Sequence, residues 1–167
     1  MTRLALWQRN VIGAVVTVAA LGGVAAMDLW PAWSHYRDSV VPAHVVPARE
    51  SVTVGGQTWS LGPVRYIGDR PGLGRIPPGT VVTLVTVRRD GPTPPGAACV
   101  GVLTDGHRRW RGESPITYSI PATADQGFTC TKDGSLQWAF LVPDDAVPTA
   151  LDVTAPNGTI LLRLQLS

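Results

Sequence analysis

Few side chains in this 167-residue chain are of kinds that make and break bonds, and their spacing limits what they could do. Cys99 and Cys130 are its two thiols. Redox-active pairs usually stand as Cys-x-x-Cys, so thiols this far apart favour a structural disulfide. A metal would need further Cys or His at ligand spacing, and none is near. His35, His44 and His107 stand beside no carboxylate at helix-ligand spacing, and each reads as a solvated surface histidine. There is no Gly-x-Ser-x-Gly elbow and no Ser-x-x-Lys, and the one lysine, Lys132, falls in a turn. Gly72-Leu73-Gly74 matches a fragment of a phosphate cradle, but no helix follows it. Asp144-Asp145, with Asp125 and Asp133, lacks the Asp-x-Asp-x-Asp regularity of a calcium loop and reads as turn-capping acids. The expectation is a protein without catalytic residues, cofactor or metal.

One local cluster could bind rather than react. His107-Arg108-Arg109-Trp110-Arg111 puts three guanidinium groups around an aromatic ring. On a strand, Arg109 and Arg111 share one face while Arg108 and Trp110 share the other. Arg108, Arg109, Trp110 and Arg111 are thus candidates for contact with lipid headgroups or an acidic partner. The competing reading is a solvated edge strand that its charges protect from aggregation.

The elements that must position these residues begin with Val11–Met27, which carries no charge and has Thr17 as its single polar side chain. As a helix it would be about 25 Å long at ~1.5 Å per residue, and Leu29 and Trp30 bring it close to a ~30 Å hydrocarbon core. Before it lie Arg3 and Arg9 with no acid; after it comes Asp28. The positive-inside rule then puts the N-terminus in the cytoplasm and the remainder outside. Trp30, Trp33 and Tyr36 follow as an interfacial aromatic belt. The rival is a secretory signal cleaved near Val24-Ala25-Ala26, although the apolar stretch is longer than the ~7–15 residues such signals use. Gly13 and Gly22 are not at four-residue spacing, so the close-packing dimer motif is absent.

Charge follows the same division. Of 14 basic and 12 acidic residues, two bases and no acid precede Asp28, leaving 12 against 12 in residues 28–167. A neutral ectodomain does not suit a nucleic-acid binder. Both cysteines lie on the outer side, where a Cys99–Cys130 disulfide is the default.

Pro31, Pro42 and Pro47 break up residues 28–50, which read as an extended stalk with at most a helical turn around Ser34–Ser39. From Ser51 the apolar period is two. Ser51–Val54, a Gly55-Gly56 turn and Gln57–Ile67 form a hairpin. Gly68–Gly79 reads as a loop. Thr80–Arg89 is apolar on both parities, so it is a central strand covered on both sides. Cys99–Thr104, the Asp105-Gly106 turn and Arg108–Arg111 form a second hairpin. Ser114–Ile120, Gly127–Thr131, Leu136–Val142, Thr149–Thr154 and Thr159–Ser167 read as further strands, with Ala122–Asp125 as a turn. Trp59 and Trp138 fall on apolar faces as core residues, whereas Trp110 is a candidate for exposure and partner contact. Seven to nine short strands without intervening helices predict an all-β, immunoglobulin-like antiparallel sandwich, with a small barrel as the alternative. The domain plan is residues 1–10 as cytoplasmic tail, 11–30 as transmembrane anchor, 31–50 as extracytoplasmic stalk and 51–167 as sandwich.

Four segments carry a resemblance: Val-Thr-Val-Gly-Gly-Gln-Thr-Trp (52–59), Pro-Pro-Gly-Thr-Val-Val-Thr-Leu-Val-Thr-Val (77–87), Leu-Thr-Asp-Gly (103–106) and Ala-Phe-Leu-Val-Pro-Asp-Asp-Ala (139–146). Across roughly residues 50–167 the chain resembles the telokin-like bacterial immunoglobulin-like domains of secreted and membrane-anchored Gram-positive, notably actinobacterial, proteins. Each motif is a strand plus a turn. The resemblance implies a sandwich and an envelope location, and it brings no catalytic residues. One lysine amid abundant Arg, Ala, Gly and Val suits a GC-rich genome. The expected role is an interaction or scaffold module beside an envelope or membrane protein partner. The alternatives are a secreted ligand- or lipid-binding sandwich and an envelope hydrolase with an unrecognised site.

Overall fold

The computed structural model describes residues 5–68, 76–121 and 126–166. The Gly72-Leu73-Gly74 fragment and the Ala122–Asp125 turn lie outside them, as does Arg3. The chain divides into a helical unit, Met1–Val40, and a second unit, Val41–Ser167.

In the first unit, α1 (Leu6–Val24) passes through a π-helical turn (Ala25–Leu29) into α2 (Trp30–Val40). Leu6–Val40 is thus one run of 35 residues, none of it buried in the protein over its most apolar window. It is long and apolar enough to cross a membrane. Thr17 donates its hydroxyl to the Gly13 carbonyl at 2.9 Å, so the one polar side chain of Val11–Met27 is satisfied within the helix. The extended reading of residues 28–50 fails for residues 28–40, which are helical. Pro31 has no N–H, and its ring would crowd the carbonyl four residues back. The wider π turn, in which Trp30 N–H reaches the Ala25 carbonyl, precedes it and removes that conflict. The helix stops at Val40 because Val41, standing before Pro42, is pushed out of the α region.

The second unit is a β-sandwich. One sheet has the order β1 (Val45–Val46), β10 (Ile160–Gln165), β9 (Ala150–Thr154), β5 (Val100–Thr104), β6 (Arg109–Arg111). The other runs β2 (Ser51–Val54), β3 (Gln57–Ile67), β4 (Thr80–Asp90), β8 (Ser135–Pro143), β7 (Gln126–Gly127). The expected purely antiparallel pattern needs correction: β1 pairs with β10 and β7 with β8 in parallel. Because β1 pairs with β10, residues from Val41 belong to the sandwich unit, ten residues ahead of the expected boundary at Ser51.

Strand parity builds the core. On β8, Leu136, Trp138, Phe140 and Val142 point between the sheets and meet Val85 and Val87 of β4, and Leu151, Val153, Leu162 and Leu164 of the facing sheet. Gly101 sits where a Cβ would come within 2.6 Å of the Trp138 ring, so a glycine there lets the indole pack closely against β5. The opposite parity of the same strands, Val82, Leu84 and Ala139, builds a second cluster with Ile76 and Ile120. The double coverage expected of β4 is therefore present.

That outer cluster explains a second departure. Ser114–Ile120 is not a strand. Pro115–Tyr118 forms a 3₁₀ turn ending at a left-handed Ser119 (φ 56°). Pro115 cannot donate into a ladder but suits the first position of a helical turn. The turn buries Ile120 over β4 and β8 and leaves Ile116 exposed. Of the expected strand Gly127–Thr131 only Gly127 lies in the sheet, as the second residue of the two-residue β7.

Candidate functional site

Cys99, just before β5, is bonded to Cys130, in the loop between β7 and β8, with Cα atoms 5.1 Å apart. Both are buried within the main core. The bridge pins the Phe128–Gly134 loop, and three further contacts hold it. Trp138 Nε1 donates to the Phe128 carbonyl at 2.8 Å. The Asp133 carboxylate accepts the Thr93 N–H at 2.8 Å, and Thr93, through its side chain first and this backbone bond second, holds the Asp133 pKa below the ordinary value. Arg89 donates to the carbonyls of Cys130, at 3.2 Å, and Lys132.

Arg89 was not singled out from the sequence, yet it is 2 % exposed and is the largest buried charged side chain among the described residues. Its guanidinium lies 5.5 Å from the Trp59 ring centre and also reaches the Thr93 hydroxyl. Burial pulls its pKa down, and Asp133 opposes this. Its Nε has no partner among the described residues. A signal for its position existed: Val85, Val87 and Arg89 share one parity, so if the valines point inward Arg89 must follow them.

The predicted Arg-Trp cluster is drawn into the fold in a different way. Asp105 accepts the N–H groups of His107 (2.9 Å) and Arg108 (2.6 Å) and the Arg108 side chain (2.8 Å). These bonds from Arg108, then His107, lower the Asp105 pKa to about 2. Arg108 also stands 3.6 Å from Asp145, and its pKa is raised, chiefly by Asp105. Its guanidinium lies over the Trp110 ring at 5.5 Å. Trp110 is half-buried and packs against the main core, so the expectation of an exposed indole needs correction. Arg109 reaches the fully buried Asp152 carboxylate at 3.2 Å, which Arg163 grips from the other side at 2.6 and 2.9 Å. Arg111 is exposed at the sheet edge. Much of this cluster's charge is thus answered by Asp105, Asp145 and Asp152.

Trp30, Trp33 and Tyr36 are all exposed on α2, and the Trp33 and Tyr36 rings are 5.8 Å apart. Among the described residues no three His, Cys, Asp or Glu side chains come together as metal ligands.

A groove of about 540 Å³ lies between the Ser114–Ile116 turn and the pinned Gln126–Gly134 segment. Gln137 of β8 lies beneath it, 8 % exposed, with its Nε2 donating to the Thr86 hydroxyl at 3.1 Å. Ile116 and Phe128 project from its walls, with Phe128 48 % exposed. Sequence reasoning missed this groove. It is made by packing two loops on the outer face of a sheet, and no residue pattern along the chain encodes that.

None of the family models and none of the curated proteins compared with the chain matches it. Among solved structures it is similar to an uncharacterized β-sandwich protein from Clostridium difficile 630. The two share 10 % identity over 74 % of this chain and 94 % of the other, with a TM-score of 0.37. Likeness at that level carries no functional argument.

Proposed function

We propose that the protein is a single-pass, membrane-anchored interaction module: the N-terminus is cytoplasmic and the sandwich is held on the outer side of a bacterial cell membrane. One observation carries this reading: a 35-residue helical run, whose most apolar window has no buried face, precedes a domain that has a disulfide in its core. An apolar helix without a protein partner is stable in lipid, and a core disulfide persists in an oxidising compartment. The helix also runs unbroken through Val24-Ala25-Ala26. That favours retention of the segment over cleavage there, since a peptidase needs extended backbone. Trp30, Trp33 and Tyr36 would sit in the outer headgroup layer, and the telokin-like sequence segments fit an actinobacterial envelope.

In this reading the domain acts as an accessory or scaffold subunit beside an envelope or membrane protein, and it performs no catalysis. Its ionisable groups support this, because they are spent on turns and internal pairs: Asp105 on Arg108, Asp152 on Arg109 and Arg163, Asp133 on Thr93. Cross-linking in intact membranes followed by mild detergent extraction tests it. A reproducible partner of defined mass supports the subunit role, and recovery as a lone monomer counts against it.

A further inference from the structure

The groove over Gln137 has the chemistry of a ligand site, and it stands independently of the membrane reading. Its volume, about 540 Å³, lies within the ~300–1,000 Å³ of small-molecule sites. Its wall is pre-formed: the disulfide, Arg89 and the Trp138 indole fix the loop that carries Phe128. Pre-formed walls lower the ordering cost of binding.

The lining narrows the ligand. It carries one cation and one anion, Lys132 and Asp133, which cancel, so nothing selects a phosphate or carboxylate. Asp133 is already committed to the Thr93 N–H. The other polar side chains facing the cavity are neutral donors and acceptors, Gln126, Thr129 and Gln137 among them, and Pro115, Ile116 and Phe128 supply its apolar part. Gln137 is more than nine-tenths buried. One end of its amide is spent on Thr86, and the other has no partner among the described residues while the residue lines the cavity. An amide end that opens into a cavity can bond a ligand hydroxyl or amide in place of water. Beside it stands the half-exposed ring of Phe128.

An aromatic face next to neutral amides and hydroxyls suits a molecule with apolar C–H faces and many hydroxyl groups. An added peptide strand fits less well. β7 offers only two residues at the sheet edge, and further along β8 the Ala139 backbone is already bonded both ways to Glu113, at 2.9 and 3.0 Å. An acyl chain is not matched either, because Gln137 and Thr86 put a polar pair beneath the cavity. We infer that the groove between Ile116 and Phe128 binds a neutral saccharide, the Phe128 ring stacking on a sugar face and the Gln137 amide bonding a hydroxyl or acetamido group.

The test uses the full chain in phosphatidylcholine nanodiscs, which carry no sugar headgroup. Chitotetraose, cellotetraose and maltotetraose are the probes, read by saturation-transfer NMR and isothermal titration. The expected result is saturable binding of at least one probe at concentrations up to about 10 mM, the weak end of the affinity scale. Phe128→Ala and Gln137→Leu are each expected to weaken it about tenfold, as loss of one such contact implies. Phe128→Ala changes an exposed ring, so it keeps the test open if Gln137→Leu disturbs the sheet. No binding of any probe would overturn the inference. So would binding that is indifferent to Phe128→Ala, or displacement of bound sugar by a neutral extended hexapeptide.

Discussion

Two side chains test the account residue by residue. Asp105 is held at about pH 2 by the bonds it accepts from Arg108 and His107. Its folded pKa lies below the unfolded one, so its contribution is full above ~pH 4 and is lost as pH falls toward 2. Asp105→Asn is expected to flatten that part of the stability curve while leaving its neutral limb less stable than wild type. Urea unfolding at stepped pH would reveal this, and superimposable curves would refute it. Arg89 is the second. Removing it leaves the Cys130 and Lys132 carbonyls without their donor and strips the cation from the Trp59 ring. Hydrogen bonds to charged groups contribute about 1.5–3 kcal/mol, so Arg89→Leu should destabilise by roughly 2 kcal/mol. If denaturation midpoints are unchanged, Arg89 is not the clamp described.

At the scale of elements, the sandwich depends on a few close fits. Gly101→Ala drives a methyl group into the Trp138 ring, at 2.6 Å in the unrelaxed structure. Overpacking of this kind costs about 1–3 kcal/mol, which thermal unfolding would register. Cys99→Ser with Cys130→Ser opens a loop of 31 residues and should cost about 3–4 kcal/mol in the chain-entropy model, whose mechanism is disputed. The same double variant should also weaken any ligand held against Phe128, since the bridge holds that wall. Much of this architecture was legible in the sequence wherever a strand alternates strictly: Leu136–Val142 and Ile160–Leu164 named their buried faces, and Gly55-Gly56 and Asp105-Gly106 named their turns. The misreadings have physical reasons. Pro31 reads as a helix breaker because the π turn that accommodates it involves residues before it. Pro115 turns an alternating run into a 3₁₀ cap over an outer apolar patch, and only the assembled sheet reveals that patch. The parallel pairing of Val45–Val46 with β10 joins the two ends of the domain, a partnership that no local pattern records. The groove was illegible for the same reason, while the disulfide was legible because only two thiols exist and the compartment reading leaves them one default.

For the whole molecule, the proposed span gains support from a residue outside the predicted belt. Trp7 is exposed near the start of α1, and Trp30 stands near the far end of the apolar run. Along a helix they are about 35 Å apart at ~1.5 Å per residue, which would put each ring near one headgroup layer of a ~30 Å core. A charge between them should therefore be costly: Val18→Arg is expected to disfavour insertion by about 2.5–3.5 kcal/mol and to move the chain from carbonate-resistant membranes toward the soluble fraction. The central claim is the anchored topology, and its most direct measurement is protease treatment of intact protoplasts carrying the full chain tagged at both ends. The account predicts loss of the C-terminal tag and survival of a membrane-bound N-terminal fragment about the size of the helix. Protection of the C-terminal tag, or release of a soluble chain beginning near Met27, would contradict it.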